Sequence, residues 1–211
     1  MFNFDLTTLI ATIPALLIAF AFHEYAHALA ADRLGDPTPR SQGRLTLNPL
    51  VHLDLMGTLM VLLFHFGWAK PVQTNPRYYK MDPVRGHMLV ALAGPVMNFF
   101  VALIATILYG LLIIWLGGTS WEPVVAVIMG TIISLNIVLG IFNLLPIPPL
   151  DGFSVLSGIL PSRWAYKLRM IEPYGFIILI VFMLTGIFGS VLTPLIDIVA
   201  TPYQMLLNFM I

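Results

Sequence analysis

Two histidines four residues apart, with a glutamate beside the first, give the run His23-Glu24-Tyr25-Ala26-His27 an H-E-x-x-H pattern. Helical geometry puts residues i and i+4 on one face, so both imidazoles can grip a single metal ion. The chain has no cysteine, and a tightly held metal must therefore take histidine and carboxylate ligands. The pattern lies inside an apolar run over residues 6–31. Counted back from Asp32, where the polar loop begins, His27 and His23 sit about 7 to 14 Å along a helix. A charged side chain at such depth costs roughly 2.5–3.5 kcal/mol on insertion scales, so an ionisable cluster there reads as functional. The competing reading is a polar lining between spans that holds no metal.

A zinc site needs a third protein ligand and one position left open. The run Asn143-Leu144-Leu145-Pro146-Ile147-Pro148-Pro149-Leu150-Asp151-Gly152 offers one. Three prolines within four residues end the preceding helix, because proline lacks an N–H donor and disfavours helical geometry in the residue before it. The chain is expected to run extended there and to carry Asp151 back towards the interior, with Gly152 letting the backbone turn.

The elements that must position these residues follow from composition. Only 9% of the 211 residues are Asp, Glu, Lys or Arg, 59% are hydrophobic, and the mean hydropathy is +0.93. So few charges cannot cover a water-facing surface, which excludes a soluble globule. Ten basic residues balance ten acidic ones, so no global field points to nucleic acid. The expected fold is an all-α polytopic membrane protein, with four transmembrane helices in the runs 6–31, 88–116, 123–145 and 174–200. Gly186, Gly189 and Pro194 weaken the last run and can break it. The stretch 55–66 is short for a spanning helix and reads as a re-entrant or hairpin element. The first run follows no basic segment and exceeds a signal-peptide core, so it is expected to stay in the mature protein.

Charge supports the hairpin. If 55–66 dips in and returns, segments 32–54, 67–87 and 151–172 share one side and hold all ten basic residues, from Arg33, Arg40 and Arg44 to Arg163, Lys167 and Arg169. The positive-inside rule makes that side cytoplasmic. The expectation is a multi-pass protein of the cell membrane whose site faces the cytoplasm, with the N-terminus and the loop 117–122 outside. His23, His27 and Asp151 then fall at the same end. Between the first two long spans, 35–54 and 65–72 contain short β-compatible pieces broken by Gly and Pro, so small membrane-associated strands compete there with an irregular loop. Residues 1–211 read as a single membrane domain, with a core over about 6–155 and a further hydrophobic region over about 171–211.

With H-E-x-x-H in an early span and N-x-x-P-x-x-x-x-D-G in a later one, the sequence resembles the site-2 protease family of intramembrane zinc metalloproteases. Ala93-Gly94-Pro95-Val96-Met97-Asn98 also resembles that family's A-G-P-x-x-N segment, so the likeness spans about residues 6–155. It is to the short bacterial type, since no region is long or polar enough to be a PDZ domain. The resemblance implies one zinc ion per chain held by His23, His27 and Asp151, with Glu24 as general base on the attacking water. It fits zinc chemistry, which acidifies a water and polarises a carbonyl. Asn143 can donate to the developing oxyanion or the substrate backbone, or else bond carbonyls of its own helix.

Other residues carry weaker signals. Asn98 reads as a support rather than a ligand. His52, His65 and His87 lie near membrane boundaries and read as interfacial, Asp54 as a loop carboxylate or a hydrogen-bond partner of His52, and Tyr25 as packing or lipid contact. Trp68, Trp115, Trp121 and Trp164 suit interfacial anchoring. The implied function is an intramembrane zinc endopeptidase acting on a transmembrane protein substrate in the lipid bilayer, without nucleic acid. An unpaired strand edge in 35–72 would hold the unwound substrate by β-addition. The alternative is a non-proteolytic transporter or metal-binding membrane protein that uses the same His, Glu and Asp cluster.

Overall fold

The computed structural model describes residues 6–57, 60 and 67–211. The expectations for the N-terminal residues 1–5, for His65 and for most of the hairpin stretch 55–66 lie outside the described residues. Among the described residues four helices are long and apolar enough to cross a membrane, within the segments Ile10–Arg33, Pro83–Leu116, Glu122–Asn143 and Gly189–Met210. The element order is α1 (Leu6–Arg33), a single turn α2 (Thr38–Ser41), α3 (Pro83–Leu116), α4 (Glu122–Asn143), α5 (Asp151–Ile159), α6 (Ser162–Arg169), α7 (Gly175–Leu184) and α8 (Ile187–Met210).

Small side chains decide how closely the first helices approach. On α1, Ala11, Ala15, Ala19, His23, His27 and Ala31 recur every four residues, and each is 9% exposed or less. On α3 the buried residues Gly94, Asn98, Ala102, Thr106 and Gly110 repeat with the same spacing. Helices in lipid gain little from apolar burial against one another, so stripes of Ala and Gly that let backbones come close supply the packing. The two histidines are members of the α1 stripe and are thereby aimed into the bundle. A second core joins α3, α4, α7 and α8 through Ala102, Ile137, Ile141, Leu145, Leu150, Leu179 and Leu192.

The ends of these helices gather the loops. Asp82 caps α3 by accepting from Arg85 N at 2.9 Å, with Pro83 in the first turn, where a missing N–H costs nothing. Lys80 N donates to Leu34 O at 2.8 Å, so the last turn of α1 and the first of α3 lie at one end. The described chain on either side of 55–66 also meets, with Lys70 N donating to His52 O at 2.8 Å.

Three expectations are corrected. Strands do not form between the first two long helices: among the described residues the ladder is a single antiparallel bridge, Leu53 with Ala69. Side chains satisfy the backbone there instead. Gly35 and Gly43 turn the chain at positive φ, Asn48 accepts from Leu50 N, and Arg44 donates to Val51 O and Lys70 O. β-Addition to a preformed edge loses its basis. The fourth span is also displaced from 174–200. The run breaks at Gly186 (φ +73°), a left-handed residue between α7 and α8, and the spanning segment is Gly189–Met210, which carries Pro194 and Pro202 inside it. Nor does the proline-rich link after α4 run as one extended segment; residues 144–149 form turns and bends, and Leu150 is extended before α5.

Candidate metal centre

The last helical turns of α1 and the start of α5 bring three candidate ligand atoms together beside the first half of α3. His23 Nε2 and His27 Nε2 are 3.0 Å apart, and Asp151 Oδ2 lies 3.2 and 3.3 Å from them. Asp151 is the first residue of α5, placed there because Gly152 lets that turn press against the end of α4. A Cβ on Gly152 would lie 2.1 Å from Leu144 O. Opposite the histidines stands Gly94, where a Cβ would lie 2.4 Å from His27 Nε2 and 2.6 Å from His23 Cε1. Only hydrogen fits there, which gives the glycine in the A-G-P-x-x-N segment its physical reason.

Hydrogen bonds fix which nitrogens face inward. His27 Nδ1 lies 2.7 Å from Val90 O, and a carbonyl only accepts, so Nδ1 carries the proton and Nε2 a lone pair. His23 Nδ1 lies 2.6 Å from Asn98 Oδ1. The amide of Asn98 cannot be flipped without loss, because its Nδ2 donates to Ala19 O (3.2 Å) and to Asn136 Oδ1 (2.9 Å), and Asn136 Nδ2 donates in turn to Ile132 O (2.9 Å). Both asparagines are fully buried. His23 therefore also donates from Nδ1 and presents Nε2.

With Nδ1 donating elsewhere, each neutral imidazole turns an Nε2 lone pair towards the carboxylate of Asp151, whose Oδ2 is buried without a hydrogen-bond partner. A cation resolves this arrangement. Tetrahedral zinc with ligand bonds of about 2.0–2.1 Å separates its ligands by about 3.3–3.4 Å, close to the observed 3.0–3.3 Å. The donor set of two imidazoles and one carboxylate fits zinc with one position left open, and these residues form the one such cluster among the described residues.

Glu24 is buried beside the ligands, and its Oε2 accepts from Val72 N at 2.8 Å. Asn143 ends α4 half-buried, with Nδ2 donating to Leu139 O at 3.0 Å. His52 is fully buried away from the cluster, with Nε2 donating to Thr46 O at 2.8 Å, and burial pushes its pKa down. Asp54 accepts from Gly57 N at 2.8 Å. His87 lies in the first turns of α3, outside the cluster. Trp115, Trp121 and Trp164 are exposed at helix ends, as interfacial anchors would be. The sequence reading missed Asn136 and Val72. An asparagine in the middle of an apolar run was the available signal for Asn136, whereas Val72 acts through a backbone N–H that no residue type betrays.

The model of "Peptidase family M50" matches residues 11–115 and 108–186, which extends the likeness past 155 to include α5, α6 and α7. "Putative zinc metalloprotease YwhC" of Bacillus subtilis is 39% identical, over 88% of this chain and 85% of the relative. "Putative zinc metalloprotease Rip2" of Mycolicibacterium smegmatis is 32% identical, over 83% of this chain and 67% of the relative. "Putative zinc metalloprotease MJ0611" of Methanocaldococcus jannaschii is 30% identical, over 77% of each chain. No solved structure matches.

Proposed function

The chain belongs to peptidase family M50 and is a zinc metalloendopeptidase, and we propose that it cleaves peptide bonds within or at the edge of a membrane-protein substrate's transmembrane segment. The observation that carries this reading is the position of the ligand cluster. His23 and His27 belong to a helix able to cross a membrane, about 7 to 14 Å along it from the polar loop.

His23, His27 and Asp151 hold the metal in this reading. Zinc, when bound, supplies a Lewis acid that acidifies water and polarises the scissile carbonyl. Glu24 is the general base: next to His23 in sequence, it accepts the proton of the attacking water and passes it to the leaving nitrogen. Asn143 commits one Nδ2 hydrogen to Leu139 O and has a second to offer the developing oxyanion or the substrate backbone.

A helical substrate hides its carbonyls in hydrogen bonds, so it must unwind before it reaches Glu24, and helix-weakening residues near the cut lower that cost. The basic loops gathered at the Arg33 end make that end cytoplasmic by the positive-inside rule. In this reading the site takes its water from the cytoplasm and releases its products there, in the cell membrane. Residues 6–155 carry the chemistry within one membrane domain, and the C-terminal helices complete its packing. The transporter alternative has no comparable support, since the described residues hold one ligand cluster and the relatives bear metalloprotease names.

The test is to map the cut. Membrane-embedded peptides with and without a glycine pair in their span are digested in reconstituted bilayers, and the products are located by mass spectrometry. Cuts inside the span, faster with the glycine pair, are expected. Cuts confined to the water-exposed tails would overturn the intramembrane reading.

A further inference from the structure

A carboxylate next to a zinc ligand faces a choice, because carboxylates are themselves zinc ligands. A glutamate has three rotatable side-chain bonds, and nothing in the H-E-x-x-H spacing prevents Glu24 from swinging in and closing the open position. What restrains it in this structure comes from a distant part of the chain: Val72 N donates to Glu24 Oε2 at 2.8 Å, across 48 residues. A hydrogen bond to an ionised carboxylate is among the stronger kinds.

The segment that delivers this N–H is non-helical over residues 70–75, so its position must be set from outside. Three cross-links flank Val72. On one side the buried Arg44 donates to both Val51 O and Lys70 O, while Lys70 N donates to His52 O at 2.8 Å. On the other side Asp36, fully buried, accepts from Asn75 N at 2.6 Å through Oδ2 and from Thr38 N at 2.9 Å through Oδ1. Between them Gln42 Nε2 donates to Gln73 Oε1 at 2.9 Å. A buried guanidinium and a buried carboxylate are costly to desolvate, and both here serve backbone groups of the segment that ends on Glu24.

We propose that Val72 is a positioning residue whose backbone N–H holds one oxygen of Glu24 off the metal and leaves the other free for the water's proton, with Arg44 and Asp36 fixing the segment that carries it. This rests on the reading of Glu24 as general base. The role belongs to the N–H and not to the valine side chain, which sets the terms of the test.

Val72→Pro deletes the donor, as does an ester at this position made by incorporating α-hydroxyisovalerate, which keeps the valine side chain; Val72→Ala keeps the donor and trims the side chain. Each protein is compared with Glu24→Gln for kcat, KM and zinc per chain on a membrane-embedded peptide. The expected result is a fall in kcat on the order of 10–100-fold in the proline and ester proteins, as for other orienting partners of a metal site, with KM and zinc content unchanged and Val72→Ala near wild type. Arg44→Lys, which keeps the charge but not the two-pronged reach, is expected to lower kcat in the same direction with zinc retained. A wild-type kcat in the ester protein overturns the inference, as does an equal loss in Val72→Ala. If Glu24→Gln itself cleaves at the wild-type rate, the general-base reading fails instead, so the two failures are told apart.

Discussion

Asn98 Oδ1 accepts from His23 Nδ1 at 2.6 Å, tying the α3 stripe to the α1 stripe at the metal centre. The same amide is held by Ala19 O and Asn136, so the orientation of His23 is set by a buried polar chain across three helices. Asn98→Ala is expected to weaken zinc binding about 10–100-fold and to cost ~1–3 kcal/mol of stability by leaving Asn136 and His23 unpaired. Competition with a chelator reads the first and thermal unfolding the second. Unchanged zinc affinity would reduce Asn98 to packing.

Gly94 makes a sharper steric case. One added methyl at Gly94 would lie 2.4 Å from His27 Nε2, whereas one at Gly130 meets nothing within 4 Å. Gly94→Ala is expected to lose zinc and activity together, by overpacking of about 1–3 kcal/mol directed at the ligands, and Gly130→Ala to lose neither. Metal analysis of the two proteins side by side checks this.

For Asn143 the two readings give different kinetics. As an oxyanion donor, its replacement by Ala should keep zinc and cost on the order of 10²–10³ in kcat. If the Leu139 bond is its whole role, the same change should cost about 1 kcal/mol of stability and little turnover. The proposed mechanism expects the first outcome, read by single-turnover kinetics at matched zinc content.

His52 links stability to pH. Burial holds its folded pKa below the ordinary value, so the folded protein keeps it neutral while the unfolded chain protonates it below about 6.5. Its contribution is therefore present above about pH 6.5 and is lost as pH falls below that value. His52→Gln, which can still donate to Thr46 O, is expected to flatten the decline in melting temperature between pH 7 and 5. A decline as steep as the wild type's would show that His52 does not carry the effect.

How far the sequence could be read depends on what each feature rests on. Apolar runs and helix spacing placed α1, α3 and α4 and set His23 and His27 on one face, because those features are local. Asp151 was reachable because three prolines and a glycine announced a break, although the link proved to be turned rather than extended. The break at Gly186 was legible from its residue type, but the spanning segment lies beyond it, at Gly189–Met210, where apolar residues continue past Ala200 around Pro194 and Pro202. The strands expected near 35–72 failed because Arg44, Asp36 and Asn48 satisfy backbone groups that β-propensity assigns to a ladder. The Val72 to Glu24 bond was out of reach, since it joins a backbone N–H to a side chain 48 residues away.

In the proposed mechanism Glu24 works on a metal it does not hold. Purified wild-type protein and Glu24→Gln are assayed in the same preparations for zinc per chain and for cleavage of a membrane-embedded peptide. One zinc per chain is expected in both and product from the wild type alone, because the amide keeps the shape of the side chain but cannot take the water's proton. Cleavage by Glu24→Gln at near the wild-type rate, with zinc bound, would contradict it.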